Sequence, residues 1–182
     1  MSEIADRYRR LAGALTDTVA AVPADRWASP SPCEDWDARG VVRHLVDTQG
    51  LFLGFIDASL PEAPAVDDDP LAAWTSASGA VQSALDDPAR AKLTYEGFFG
   101  TTTFEDAVDR FLAFDLVVHR WDLARATGGD ETVSDEDAEL VIAGAAGFGE
   151  ALHSEGVCGP EVPVPAGADQ KTKMLAIVGR EA

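Results

Sequence analysis

The sequence predicts an all-α protein, a helical bundle with one long crossover and a short extended C-terminal tail. Three observations carry that reading: long segments with apolar residues at helical spacing, helix-capping residues at their starts, and proline or glycine at their ends. Ile4, Tyr8, Leu11, Leu15, Val19 and Val22 form the stripe of a first helix over about 3–22, closed by Pro23. The segment WASPSPCEDW breaks the helix and carries Trp27 and Trp36, which can fold back on the core. Asp37 caps a second helix over about 38–58. LPEAPAVDDD is the proline-rich acidic crossover, and Asp69-Pro70 supplies N-cap and first residue of a third helix with Leu71, Trp74, Val81 and Leu85 inward.

Residues 90–102, with Gly97 and Gly100 around Phe98-Phe99, predict a loop or a short extended excursion. Thr103 with Asp106 then resembles a capping box for the longest helix, FEDAVDRFLAFDLVVHRWDLARAT, which Gly128-Gly129 stops. Ser134 with Asp137 begins a fifth helix ending near 153–156. GPEVPVPAGAD is extended, and a short helix, QKTKMLAIV, comes after it. We expect a bundle over 1–155 and an extension over 156–182 packing on it. There is no internal repeat.

Composition narrows the function classes. The 182 residues suffice for a sizeable single core, and 46% apolar with 25% charged residues is ordinary for a globular protein. A formal net charge of −18 argues against nucleic acid or anionic lipid as partner, because phosphate binding needs clustered Lys and Arg. No apolar run approaches the roughly 18 residues of a membrane span, and the N-terminus lacks a signal core, so the expected location is cytoplasmic. Cys33 and Cys158 fit no Cys-x-x-Cys spacing and read as free, buried thiols, with Cys33 as a nucleophile a minor alternative.

The longest helix holds the most informative feature. Phe104, Val108, Phe111 and Val118 fall on one face at about 100° per residue. Asp115 and His119 project from the same face, and Asp122 lies at i+3 from His119. A carboxylate in a core is unfavourable unless paired or bound to a metal. A carboxylate and an imidazole at i, i+4 can grip one cation together. On the second helix His44 shares its face with Val41, Thr48, Phe52 and Phe55, so it too points inward. His44, Asp115 and His119 would together make a set of two imidazoles and one carboxylate with an open position, the pattern of a catalytic zinc site that Fe(II), Ni(II) or Mn(II) also accepts. A hydrogen-bonded core histidine and a buried Asp115–His119 ion pair are the competing readings. Asp122 reads as a residue that orients an imidazole N–H or the Trp121 region, with a direct fourth ligand the lesser alternative. His153, at a helix end, reads as structural.

SPCEDWDARGVVRHL and, much later, DLVVHRWDLARATG resemble the mycothiol-dependent maleylpyruvate isomerase-like proteins, an actinobacterial branch of the DinB-like metal-binding four-helix bundles. The tail GPEVPVPAGADQ and LAIVGR resembles the ending of an uncharacterised actinobacterial subfamily. The resemblance covers nearly the whole chain. It implies that His44, Asp115 and His119 converge on a divalent metal, usually zinc, and that mycothiol serves as cosubstrate. The characterised isomerase carries a glutamate where this chain has Asp115. That departure weakens transfer of the isomerase activity itself.

The expected function is a zinc-binding, mycothiol-dependent thiol transferase or isomerase acting on a small electrophile. A non-catalytic metal- or ligand-binding stress protein of the same superfamily is the alternative. Trp36, Trp121, Phe98 and Phe99 are the candidate pocket walls, and Arg43, Arg120 and Arg125 the candidate substrate anchors. Small-molecule thiol and electrophile are the expected partners, and the chain is expected as monomer or homodimer.

Overall fold

The computed structural model describes residues 2–34, 36–97, 100–154 and 156–182. Among the described residues it is mostly helical with a small two-stranded sheet, an all-α DinB-like fold. The chain divides into two compact units, Met1–Asp130 and Glu131–Ala182. The division falls earlier than the 155/156 boundary expected from the sequence, because the fifth predicted helix packs with the short helix after the tail.

In the first unit, α1 (Glu3–Ala20), α2 (Ala38–Gly54), α3 (Pro70–Asp86) and a composite helix ending in α6 (Ala113–Thr127) form the bundle. Both α1 and α2 pack against α3 on one side and α6 on the other. Local chemistry sets the starts. Ser2, Asp37, Asp69 and Thr103 each accept a hydrogen bond from a backbone N–H of the first turn, satisfying donors the helix leaves unpaired. The ends are shorter than the apolar pattern suggests. α2 stops at Gly54 rather than near Ala58, because Asp57 adopts a left-handed φ of 53° and the chain turns back through i+3 bonds. α1 likewise stops at Ala20, two residues short of Val22.

After the short α4 (Pro88–Ala91), the predicted excursion is an antiparallel hairpin. β1 (Thr94–Gly97) pairs with β2 (Gly100–Thr103) in a register that sets Thr94 opposite Thr103. The longest helix is not uniform. α5 (Phe104–Ala107) passes into a π turn (Val108–Leu112) before α6 (Ala113–Thr127), and the Ala113 N–H bonds the Val108 carbonyl five residues back. The sequence reading of one unbroken α-helix is corrected here. A wide turn accommodates one extra residue and rotates the helix beyond it by roughly 100° relative to a regular one. Gly128, at φ 75°, ends α6, and its N–H and that of Gly129 bond the Ala124 carbonyl.

The core of this unit is large and mostly apolar, with Trp74, Phe104, Leu15, Leu45, Leu112 and Leu116 fully buried. A polar pair sits inside it, away from the histidines. Tyr8 of α1 donates its hydroxyl to Gln49 Oε1 of α2 at 2.6 Å, and both residues are buried. The second unit comprises α7 (Asp135–Phe148), a 3₁₀ turn (Gly149–His153) and α8 (Gln170–Ile177). The extended segment between them is held by Val162 N–H on the Ala176 carbonyl. Gly179 is required where it stands: φ is 76° and a Cβ would lie 2.8 Å from the Gly159 backbone.

Burial pushes the Tyr8 phenol well above its ordinary value of 10.0. A raised folded-state value means the stability it contributes is intact below about pH 10 and declines as pH rises further, by up to roughly 1.4 kcal/mol per pH unit. Tyr8→Phe should therefore lower stability by about 1–3 kcal/mol at neutral pH, by leaving Gln49 unpaired. The gap to wild type should close above pH 10, as read by denaturant unfolding across that range.

Candidate metal centre

The site is built where α2 and α6 pack side by side, with the loop between α1 and α2 folded over one end. That loop is pinned by backbone bonds: Ser31 N–H to the Trp36 carbonyl, Trp36 N–H to the Cys33 carbonyl, and Ala38 N–H to the Ser29 carbonyl. It delivers Cys33 and Trp36, α2 delivers His44, and α6 delivers Asp115, His119 and Asp122 at one-turn spacing.

The side chains converge on Asp115. His44 Nε2 lies 2.9 Å from Asp115 Oδ2, and His119 Nε2 lies 3.4 Å from Asp115 Oδ1. Ligand atoms of His44, Asp115 and His119 all fall within 4.8 Å of one another. On the far side of its ring, His119 Nδ1 donates to Asp122 Oδ2 at 2.9 Å. Trp36 stacks on the His44 ring at 4.6 Å and 29°, and the two imidazoles meet edge to face at 4.8 Å. Access is one-sided. The side chains of His44 and Asp115 are 30% and 22% exposed, whereas those of His119 and Asp122 are 8% and 0% exposed.

Electrostatics are set by this packing. Burial raises the Asp115 carboxyl, but the charge and hydrogen bond of His119 and the hydrogen bond of His44 outweigh it and hold it below the usual carboxylate range. Burial lowers His119, yet the charge of Asp115 and hydrogen bonds to Asp115, Asp122 and Cys33 raise it well above its ordinary 6.5. Both shifts favour a charged His119 ring beside a charged Asp115 carboxylate. An ion seated among the two Nε2 atoms and the Asp115 oxygens would replace protons that point at the same place. Two imidazoles and a carboxylate are a donor set that suits zinc and its first-row neighbours, so the residues fit a divalent metal.

Not every residue singled out by the sequence is here. Trp121 is buried elsewhere, with the Arg125 guanidinium 5.2 Å over its ring. Residues two apart on a helix face nearly opposite ways, so Trp121 cannot share the face of His119. Phe98 and Phe99 lie outside the described residues. Arg43 is bonded to Asp67 at 2.6 Å, and Arg120 to the Asp130 carbonyl at 3.4 Å. His153 bonds the Gly159 carbonyl through Nδ1 at 2.7 Å. The sequence reading misses Cys33 as a neighbour of the site: its Sγ donates to Asp122 Oδ2 at 3.2 Å and lies 3.8 Å from His119 Nδ1. A single cysteine in a loop carries no spacing signal that could show this.

Comparison with known proteins places this architecture. The mycothiol maleylpyruvate isomerase N-terminal domain family matches residues 8–124, which include every residue of the cluster. The chain belongs to that family. Two uncharacterized proteins from two strains of Mycobacterium tuberculosis are similar to this family member. Each is 28% identical over 135 residues, covering 74% of this chain and 71% of theirs. No solved structure gives a significant match. Among the described residues, no helix is long and apolar enough to cross a membrane.

In metal-free protein, the His119 imidazole should stay protonated well above pH 6.5. The stability this contributes is complete below that pH and is lost as pH rises through the folded-state value. Asp115→Asn should return the His119 titration toward its ordinary range, as read by nitrogen chemical shifts of the ring.

Proposed function

We propose that this family member holds one divalent cation, zinc first and Ni(II), Fe(II) or Mn(II) as alternatives, between His44 Nε2, His119 Nε2 and the Asp115 carboxylate, and uses it to activate a low-molecular-weight thiol. The observation that carries this is the meeting of two imidazole Nε2 atoms on the two oxygens of one half-buried carboxylate. The family supplies the thiol: its name ties the fold to mycothiol.

A cation in such a site favours the thiolate form of a thiol brought to it, and the thiolate is the nucleophile. The chain's own residues do the rest. Asp122 accepts from Nδ1–H and so directs the Nε2 lone pair of His119 at the ligand position. Trp36, stacked on His44, fixes that ring and forms one wall of the approach. The exposed side of His44 and Asp115 is the entry for thiol and electrophile. The outcome is S-conjugation of a small alkene, epoxide or halide, or cis–trans isomerisation through a reversible adduct.

The arginines bear on the substrate. Arg43 and Arg125 are engaged with Asp67 and Trp121, and Arg120 with a backbone carbonyl. That arrangement favours an electrophile without two carboxylates. The same engagement of the arginines suits a second reading, a metal- or ligand-binding protein without turnover.

Untagged wild type should carry close to one equivalent of metal. His44→Ala and Asp115→Ala should lose it, and Asp122→Asn should bind about 10- to 100-fold more weakly. Elemental analysis and competition with a chromogenic chelator measure both. Equal and negligible metal in all four proteins, at unchanged helicity, would sink the metal reading. Incubation with mycothiol and an electrophile panel, then mass spectrometry, should give a conjugate or isomer above the metal-free control. Its absence in metal-loaded protein would favour the second reading.

A further inference from the structure

We propose that Cys33, Asp122 and the Nδ1 atom of His119 form a second metal position, back to back with the first across one imidazole ring and suited to a thiophilic cation such as Cd(II). The three donor atoms are Sγ, Oδ2 and Nδ1, and all lie within 4.8 Å of one another. Their separations are 3.2 Å for Sγ–Oδ2, 3.8 Å for Sγ–Nδ1 and 2.9 Å for Nδ1–Oδ2. The edges of a tetrahedral site with zinc-length bonds run roughly 3.4–3.6 Å, so movements of about half an ångström would seat an ion of that size and somewhat larger ones the bigger Cd(II).

The surroundings support the assignment. Asp122 is fully buried and presents its oxygen to both other donors, which makes it a fixed anionic anchor rather than a solvated surface group. Cys33 is only half-buried and sits on a loop, so an ion can reach the position from its side without passing the first one. Sulfur separates the two positions chemically. The first offers nitrogen and oxygen only, whereas this one adds a soft ligand that selects soft ions.

The shared ring makes the two positions alternatives. A neutral imidazole has one lone pair. When Nε2 binds, the Nδ1 proton is held by Asp122; when Nδ1 binds, the proton moves to Nε2 and faces Asp115 Oδ1, which lies 3.4 Å away. Filling the second position also releases the Cys33 thiol proton to solvent as the metal–sulfur bond forms. Either carboxylate thus serves as ligand in one mode and as partner of the ring N–H in the other.

Cadmium titration of the metal-free full chain tests this through the ultraviolet sulfur-to-cadmium charge-transfer band, which nitrogen and oxygen ligands do not give. Wild type should show the band at saturation with a single ion per chain. Cys158→Ser and His44→Ala should keep it, Asp122→Asn should weaken cadmium binding about tenfold or more, and Cys33→Ser should lose the band. No band in wild type, or a band that survives in Cys33→Ser, overturns the proposal. So does its loss in His44→Ala, which would place the ion at the first position with Cys33 reaching across to it. Two ions bound at once would overturn the claim that the positions are alternatives. Failure of the His44-centred reading registers separately, in the zinc content of wild type.

Discussion

Much of the candidate site depends on one constraint: two carboxylates and two imidazoles are packed together against the bundle interior, and their charges have to balance. Asp115 and Asp122 contribute two negative charges within two turns of one helix. Protonating His119 offsets one of them and leaves the cluster net negative. A dication with two neutral imidazoles brings it to zero. Buried ions of one sign are unfavourable without compensation, and removing one partner from such a set is far more disruptive than the set is stabilising. The same sum distinguishes the two proposed metal positions. An ion held by Cys33, Asp122 and His119 leaves Asp115 uncompensated, so only the affinity of a soft ion for sulfur favours that arrangement over the first.

The elements that display this cluster are legible where their determinants are local. Caps at Asp37, Asp69, Thr103 and Ser134 and the left-handed stop at Gly128 depend on one or two residues and their own backbone, and each stands where the sequence places it. The ends of α1 and α2 read too long because the apolar pattern continues past them. Phe55 is 40% exposed and lies just beyond the helix, while Ile56 is nearly buried in the turn. Side-chain pattern reports burial, and burial persists into a turn whose backbone has already left the helix.

The π turn is invisible for a related reason. No proline, glycine or serine pair marks Val108–Leu112, and Val108 and Leu112, four apart, are both buried as in a regular helix. An i→i−5 bond changes the phase of the next segment without changing which residue types are used. Counting 100° per residue from Phe104 therefore gives the right residues for the wrong phase. The pairing of Asp115 with His119 survives because both lie after the turn, in one regular segment. Phe111, inside the turn, is only half-buried although the count puts it on the core face. Convergence of His44 with that pair is a tertiary fact, readable only through family resemblance. The position of Cys33 beside Asp122 is tertiary too, and no local pattern in the loop announces it.

Asp115 also shows how helix spacing and side-chain length are fitted to each other. An aspartate reaches less far than a glutamate would at the same position. Its carboxylate still meets His44 at 2.9 Å because α2 and α6 pack directly against each other. The longer residue would need the helices further apart or a bent side chain, and either would move the Trp36–His44 stack that closes one flank. Tight spacing has a second effect. It leaves His119 and Asp122 sealed from solvent while His44 and Asp115 remain partly open, so the cluster has a fixed floor and an accessible rim. The open rim is on the His44 and Asp115 side, and the Asp122 contact on Nδ1 turns the Nε2 atom of His119 toward it.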